Sequence, residues 1–101
     1  SIPLAFQSPA LLAVVSDQAI EPIFKAGSLF IVDQHKKAEV GHLYAAVRRG
    51  KTPCLVVGLY QVDASGYTYL THINDIRQES IQLADATIES IGVVVQVDAK
   101  T

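Results

Sequence analysis

The chain has 101 residues, half of them apolar and 18% charged, so it is one domain with enough apolar side chain to bury a core rather than a disordered tail. Eight Lys plus Arg stand against ten Asp plus Glu, a formal charge of −2 without a long basic run, which argues against gripping a phosphate backbone unaided. The single cysteine, Cys54, excludes an intramolecular disulfide framework and a cysteine-based zinc site, and fits a reducing compartment.

No apolar run reaches the roughly 20 residues of a membrane helix; the longest, residues 90–97, is broken by Gly92 and Gln96. Ser1-Ile2-Pro3-Leu4 has neither a starting Met nor a charged leader, and the chain reads as a piece of a longer protein, with residues 1–8 as a remnant of interdomain connection.

Apolar residues recur mostly with period two in short runs between turn residues, which predicts strands. The first is Leu11–Val15. Ala26-Gly27 then turns the chain into a second at 28–33, and a third occupies 43–47. Arg49-Gly50-Lys51 reads as a hairpin loop into Cys54–Val62. A second hairpin turn, Asp63-Ala64-Ser65-Gly66, uses the tolerance of glycine for positive φ and leads to a strand at 67–70. Segments 80–83 and 87–97 complete the set. Val and Ile dominate these runs, favouring strand over helix. The one helical suggestion is a turn at 20–25 with Pro22 in its first turn. About eight short strands predict an all-β fold, either a sandwich or a coiled, partly open barrel, with one short helical turn and no internal repeat.

The string Val15-Ser16-Asp17-Gln18-Ala19-Ile20-Glu21-Pro22, followed by Phe24, Gly27 and Ser28-Leu29-Phe30-Ile31-Val32-Asp33, resembles the LexA, UmuD and phage CI-type repressor family. C-terminal domains of that family are self-cleaving serine–lysine peptidases. Their corresponding stretch reads Val-x-Gly/Asp-x-Ser-Met-x-Pro, then Gly-Asp and a β-branched strand ending in Asp. The resemblance sets Ala19 at the nucleophile, Ile20 at the Met and Pro22 at the Pro; Gly27 keeps the Gly, and Ser28 replaces the Asp. Val40-Gly41-His42-Leu43 is similar to the approach to the next strand. Leu55-Val56-Val57-Gly58-Leu59 is similar to the strand that carries the catalytic Lys, which falls at Val57. Tyr69-Leu70-Thr71-His72-Ile73-Asn74 and Ile91-Gly92-Val93-Val94 are similar to the later segments, so the likeness runs from Leu11 to Val97. It is moderately specific as a whole and weak in any single motif.

The departures bear on function. A serine–lysine dyad needs a hydroxyl nucleophile and an amine whose pKa burial has lowered. Ala19 has no hydroxyl and Val57 no amine, so the resemblance implies a LexA-like fold without catalytic residues. A register slip would instead recruit Ser16 and Lys51. The family's usual scissile Ala-Gly has its only counterpart in Ala26-Gly27, which reads as a turn.

His35, His42 and His72 could be combined with Asp17, Asp33 or Asp75 into a triad or metal site, but no pair has the spacing of a zinc motif, and these histidines read as solvated loop residues. Cys54 reads as a small buried hydrophobe. Lys36-Lys37 and Arg48-Arg49-Gly50-Lys51 read as charge on turns. No cofactor and no metal are expected.

Alternation sets Ile91, Val93, Val95 and Val97 on one face of the last strand and Gly92, Val94 and Gln96 on the other. With Val on both faces, this strand is either core or covered by a partner, and Ile91, Val93, Val94, Val95 and Val97 are candidate interface residues together with Leu11 and Leu12. Leu4 and Phe6 add apolar surface of the same ambiguous kind.

The resemblance implies the C-terminal oligomerisation domain of a temperate-phage CI-type repressor, acting in the cytoplasm of the bacterial host. It would form homodimers and higher oligomers and reach DNA only through an N-terminal helix-turn-helix domain. With no dyad to cleave, induction would need an antirepressor protein or another partner. The enzyme alternative is a self-cleaving peptidase trapped by a Ser-to-Ala change at Ala19. A third reading, a small-molecule-binding β-domain, requires a ligand-sized apolar pocket.

Overall fold

A computed structural model describes residues 10–16, 24–73 and 79–101. Seven strands form one antiparallel sheet: β1 Leu11–Val15, β2 Leu29–Asp33, β3 Leu43–Arg48, β4 Cys54–Val62, β5 Thr68–Thr71, β6 Ile81–Gln82 and β7 Ile88–Asp98. Their order is β1-β2-β7-β3-β4-β5-β6, and the sheet stays open rather than closing into a barrel. The fold is all-β, with no helix among the described residues and none long and apolar enough to cross a membrane. Most of the expected helical turn lies outside the described residues, as does the expected connection at 1–8; Phe24, at the turn's far end, makes an isolated β-bridge.

Turn chemistry sets the strand boundaries. Asp63 Oδ1 accepts the amides of Ser65 at 2.8 Å and Tyr67 at 3.0 Å, and Gly66 takes φ 88°, so β4 reverses into β5 over a self-capped loop. Asp33 ends β2 in the same way, its Oδ1 accepting from the amides of His35 and Lys36. Gly27, at φ 91°, makes the bend before β2.

β7 is the axis of the sheet, paired with β2 on one side and β3 on the other. Its partners skip one residue on each side: Ile31 faces Gln96 while Val32 faces Val94, and Ala45 faces Gly92 while Ala46 faces Ser90. Val95 and Ile91 are thus bulged. Each bulge resets the alternation and sharpens the local twist. Simple alternation along this strand therefore fails. Ile91, Val94 and Val97 share one face, packed with the cluster of Phe30, Val32, Ala45 and Val57, whereas Val93 lies opposite Tyr44.

The open sheet carries a buried cluster on each face. Phe30, Val32, Ala45 and Val57 form one cluster, joined by Val14, Phe24 and Leu55. Ala46, Leu70 and Ile88 form another on the opposite face, with Tyr44, Val56, Tyr60, Ile81 and Leu83 around them. Neighbouring alanines of β3, both fully buried, supply one residue to each. Phe24 meets Phe30 edge-on, ring centroids 5.2 Å apart. Burial of a side chain such as Phe30 or Leu70 is worth about 1.5–3 kcal/mol.

Two substitutions test this packing. A Cβ on Gly92 would collide with the backbone carbonyl of Asp33, so Gly92→Ala should cost about 1–3 kcal/mol and lower the urea midpoint. An unchanged midpoint would show that β2 and β7 can part without cost. Thr71 Oγ1 is buried without a hydrogen-bond partner, so Thr71→Val should be neutral or stabilise by up to about 1 kcal/mol. A marked loss in thermal unfolding would contradict that environment.

Candidate functional site

The position that the resemblance gives to a catalytic lysine is part of the core. Val57 lies in the middle of β4, facing Ala45 across the ladder, and is only 6% exposed. Its cluster with Phe30 and Val32 is packed by Val14 and Phe24, which bracket the chain segment carrying Ala19. Ala19 itself lies outside the described residues, as do Asp17 and Asp75. An apolar β-branched side chain fills this place and brings no group able to take a proton.

Ser16 and Lys51 do not come together. The Ser16 end of β1 runs beside Leu29, and Leu29 pairs with Asp98. Lys51 follows β3, whose Arg48 pairs with Ile88, at the other end of β7. They thus lie at opposite ends of the sheet, with β2 and β7 between their strands. Ser16 is buried at 2% exposure, and Lys51 is exposed.

Ser28, which stands where the resemblance has an Asp, has a clear structural role. It is fully buried. Its Oγ donates to the Lys25 carbonyl at 2.7 Å and accepts the Lys100 amide at 3.0 Å. Its own carbonyl accepts the Ser16 amide at 3.0 Å, while Gly27 N–H donates to the Ser16 carbonyl at 2.7 Å. One hydroxyl therefore joins the bend before β2 to the segment after β7. A neutral group suits this place, because a buried carboxylate would need compensating charge.

His42 Nδ1 accepts the Glu39 amide at 3.1 Å and closes the turn before β3, while His35 is exposed beyond β2. His72 is half-buried just after β5. No group of three or more His, Cys, Asp or Glu among the described residues could hold a metal ion. Cys54 is a free, half-buried thiol opposite Arg48. Arg49 makes an exposed ion pair with Glu89 at 3.5 Å, a contact worth little in solvent. The Asp85 carboxyl is held below its usual range, first by the Thr87 amide and then by the Thr87 hydroxyl, at 2.8 and 2.7 Å, with Arg48 adding attraction.

Among the described residues, clefts open at two places on the surface. One, of about 400 Å³, is bordered by Tyr44, Tyr60, Lys36, Gln34 and Ser90; the other, of about 630 Å³, by Arg48, Glu79, Asp85 and Ile88. Both are partly open and mixed in polarity, and neither of these two is the enclosed apolar pocket of a small-molecule site.

The apolar residues singled out for an interface divide into two groups. Val93 is buried in the chain's own core, and Ile91, Val94 and Val97 are half-buried against the first cluster. β7 is hydrogen-bonded on both sides, so strand addition to it is blocked. Val95, lifted out by its bulge, is 45% exposed. Leu12 is 39% exposed on β1, where Leu11 is half-buried. Val15, outside that candidate set, is 60% exposed on the same strand. Its apolar character resembles that of a core strand residue, and only the strand order reveals its position at an edge.

No known family model and no curated protein matches this chain.

Substituting Val57→Lys tests the character of the dyad position. An ammonium among Phe30, Val32 and Ala45 should destabilise the fold by about 3 kcal/mol or more, read from urea unfolding. A loss below about 1 kcal/mol would mean that the site accepts an amine readily.

Proposed function

We propose that this chain is a homo-oligomerisation domain of a phage CI-type repressor that has lost peptidase activity. The reading rests on the resemblance between Leu11 and Val97 and is supported by an all-β open sheet. The observation that carries it is Val57, buried among Phe30, Val32 and Ala45 where the resemblance calls for lysine. An engineered knockout would need only the change at Ala19; a core rebuilt around Val57 favours natural loss over a trapped enzyme.

The work left to such a domain is assembly. By joining copies, it raises the effective concentration of each DNA-reading domain attached to another copy, so that weak half-site affinities combine into strong operator occupancy and repression. The net charge of −2 suits a part that leaves phosphate contacts to the N-terminal helix-turn-helix. Release in the bacterial cytoplasm then depends on an antirepressor binding the assembly, since self-cleavage is lost.

Sedimentation velocity from low to high micromolar protein should show dimers growing with concentration, and a strictly monomeric chain throughout would overturn the oligomerisation reading. Ala19→Ser alone, incubated at alkaline pH, should remain intact on denaturing gels. Specific self-cleavage would restore the peptidase reading.

A further inference from the structure

We propose that β1 is the contact through which two copies of this chain join, pairing antiparallel about a two-fold axis at Ala13 so that two seven-stranded sheets become one. This places the contact for the oligomerisation proposed above and rests on that reading.

Backbone register defines which groups are available. Gln34 N–H donates to the Ala10 carbonyl, and Ser16 N–H donates to the Ser28 carbonyl. Hydrogen-bonded and non-bonded pairs alternate in an antiparallel ladder, and the intervening β1–β2 register is regular. Leu12 and Val14 therefore turn their backbone groups toward β2. Leu11, Ala13 and Val15 turn theirs toward the open edge, and among the described residues no strand pairs there.

β1 carries none of the features that protect an edge. Proteins blunt such strands with lysine, proline, a bulge or very short length. Leu11-Leu12-Ala13-Val14-Val15 has no charge and no proline, and its ladder with β2 has no bulge. The opposite edge is blunted by length, since β6 has only two residues.

The segment is also complementary to itself, which selects a second copy as the occupant. With Ala13 on the two-fold axis, Leu11 faces the partner copy's Val15 and Ala13 faces its own equivalent. All the outward-facing backbone groups are then matched, each facing pair exchanging two hydrogen bonds. Between them, Leu12 meets Val14, so branched side chains oppose each other across the seam. Alanine on the axis keeps two large side chains from meeting there. The exposure of Leu12 at 39% and Val15 at 60% leaves apolar surface beside this seam to be covered.

Two variants and one cross-link test the placement. Ala13→Lys sets two ammonium groups against each other on the axis and should weaken association roughly tenfold or more in sedimentation. Ala13 is exposed, so the fold should persist, and an unchanged far-ultraviolet circular dichroism spectrum checks this. In a Cys54→Ser background, Ala13→Cys should form an intermolecular disulfide under mild oxidation. Facing Cα atoms in a hydrogen-bonded pair lie about 5.5 Å apart, within disulfide reach. Leu12→Cys should cross-link far less, because its symmetry mate is not opposite it. A dimer indifferent to Ala13→Lys, or cross-linking equally at 12 and 13, overturns the β1 contact while leaving oligomerisation intact. A chain that is monomeric at every concentration overturns both.

Discussion

The passage of β7 through the centre of the sheet governs the rest of the molecule. This strand of eleven residues is paired along both sides and carries a bulge toward each neighbour, at Val95 toward β2 and at Ile91 toward β3. Bulges add twist where they occur. They lie close together, with Gly92 running against the Asp33 backbone, so both resets of the alternation fall in one short stretch of β7. One face of β2, β7, β3 and β4 then closes over Phe30, Val32 and Val57, while the other face of β3 to β6 closes over Ala46 and Leu70. A small chain thereby builds two core clusters from a single sheet.

A second constraint ties the ends of this arrangement together. Ser28 binds the turn before β2 and the chain after β7, and its carbonyl holds the end of β1. Its neutral hydroxyl both gives and accepts a hydrogen bond, which a carboxylate could not do. Val57 shows the same preference for neutral groups, contributing methyls to the cluster. At both positions where this chain departs from the serine–lysine peptidase pattern and can be described, the residue present serves packing or hydrogen bonding of the scaffold.

Strands and turns were largely legible in the sequence because their determinants are local. The run Cys54–Val62 has its expected limits, and Asp63 to Gly66 makes the hairpin turn its residues require. The segment at 80–83 shortens to two paired residues, because Leu83 and Ala84 are already turning. The facing of β7 was not legible. Period-two reasoning assumes an unbroken ladder, and nothing local to Ile91 or Val95 announces a bulge. Nor does a run of apolar residues reveal its neighbours: β7 resembles an exposed, sticky strand yet is enclosed, while β1 is equally apolar and lies at the edge. Strand order, fixed by long-range pairing, separates them.

That distinction bears on why an uncharged edge is kept. An unprotected strand exposes a domain to indiscriminate pairing, and one lysine among the outward positions of β1 would suppress it at little cost to the fold. The chain has lysines to spare on the loop beyond β2, at Lys36 and Lys37, and in the β3–β4 turn, yet none on β1. Among the described residues, the same strand contributes little to the core beyond Val14. Its apolar composition is therefore poorly accounted for by packing within one copy. Pairing with a second copy accounts for it better, because an antiparallel two-fold contact matches backbone donors with acceptors and uses up the β1 edge of both copies.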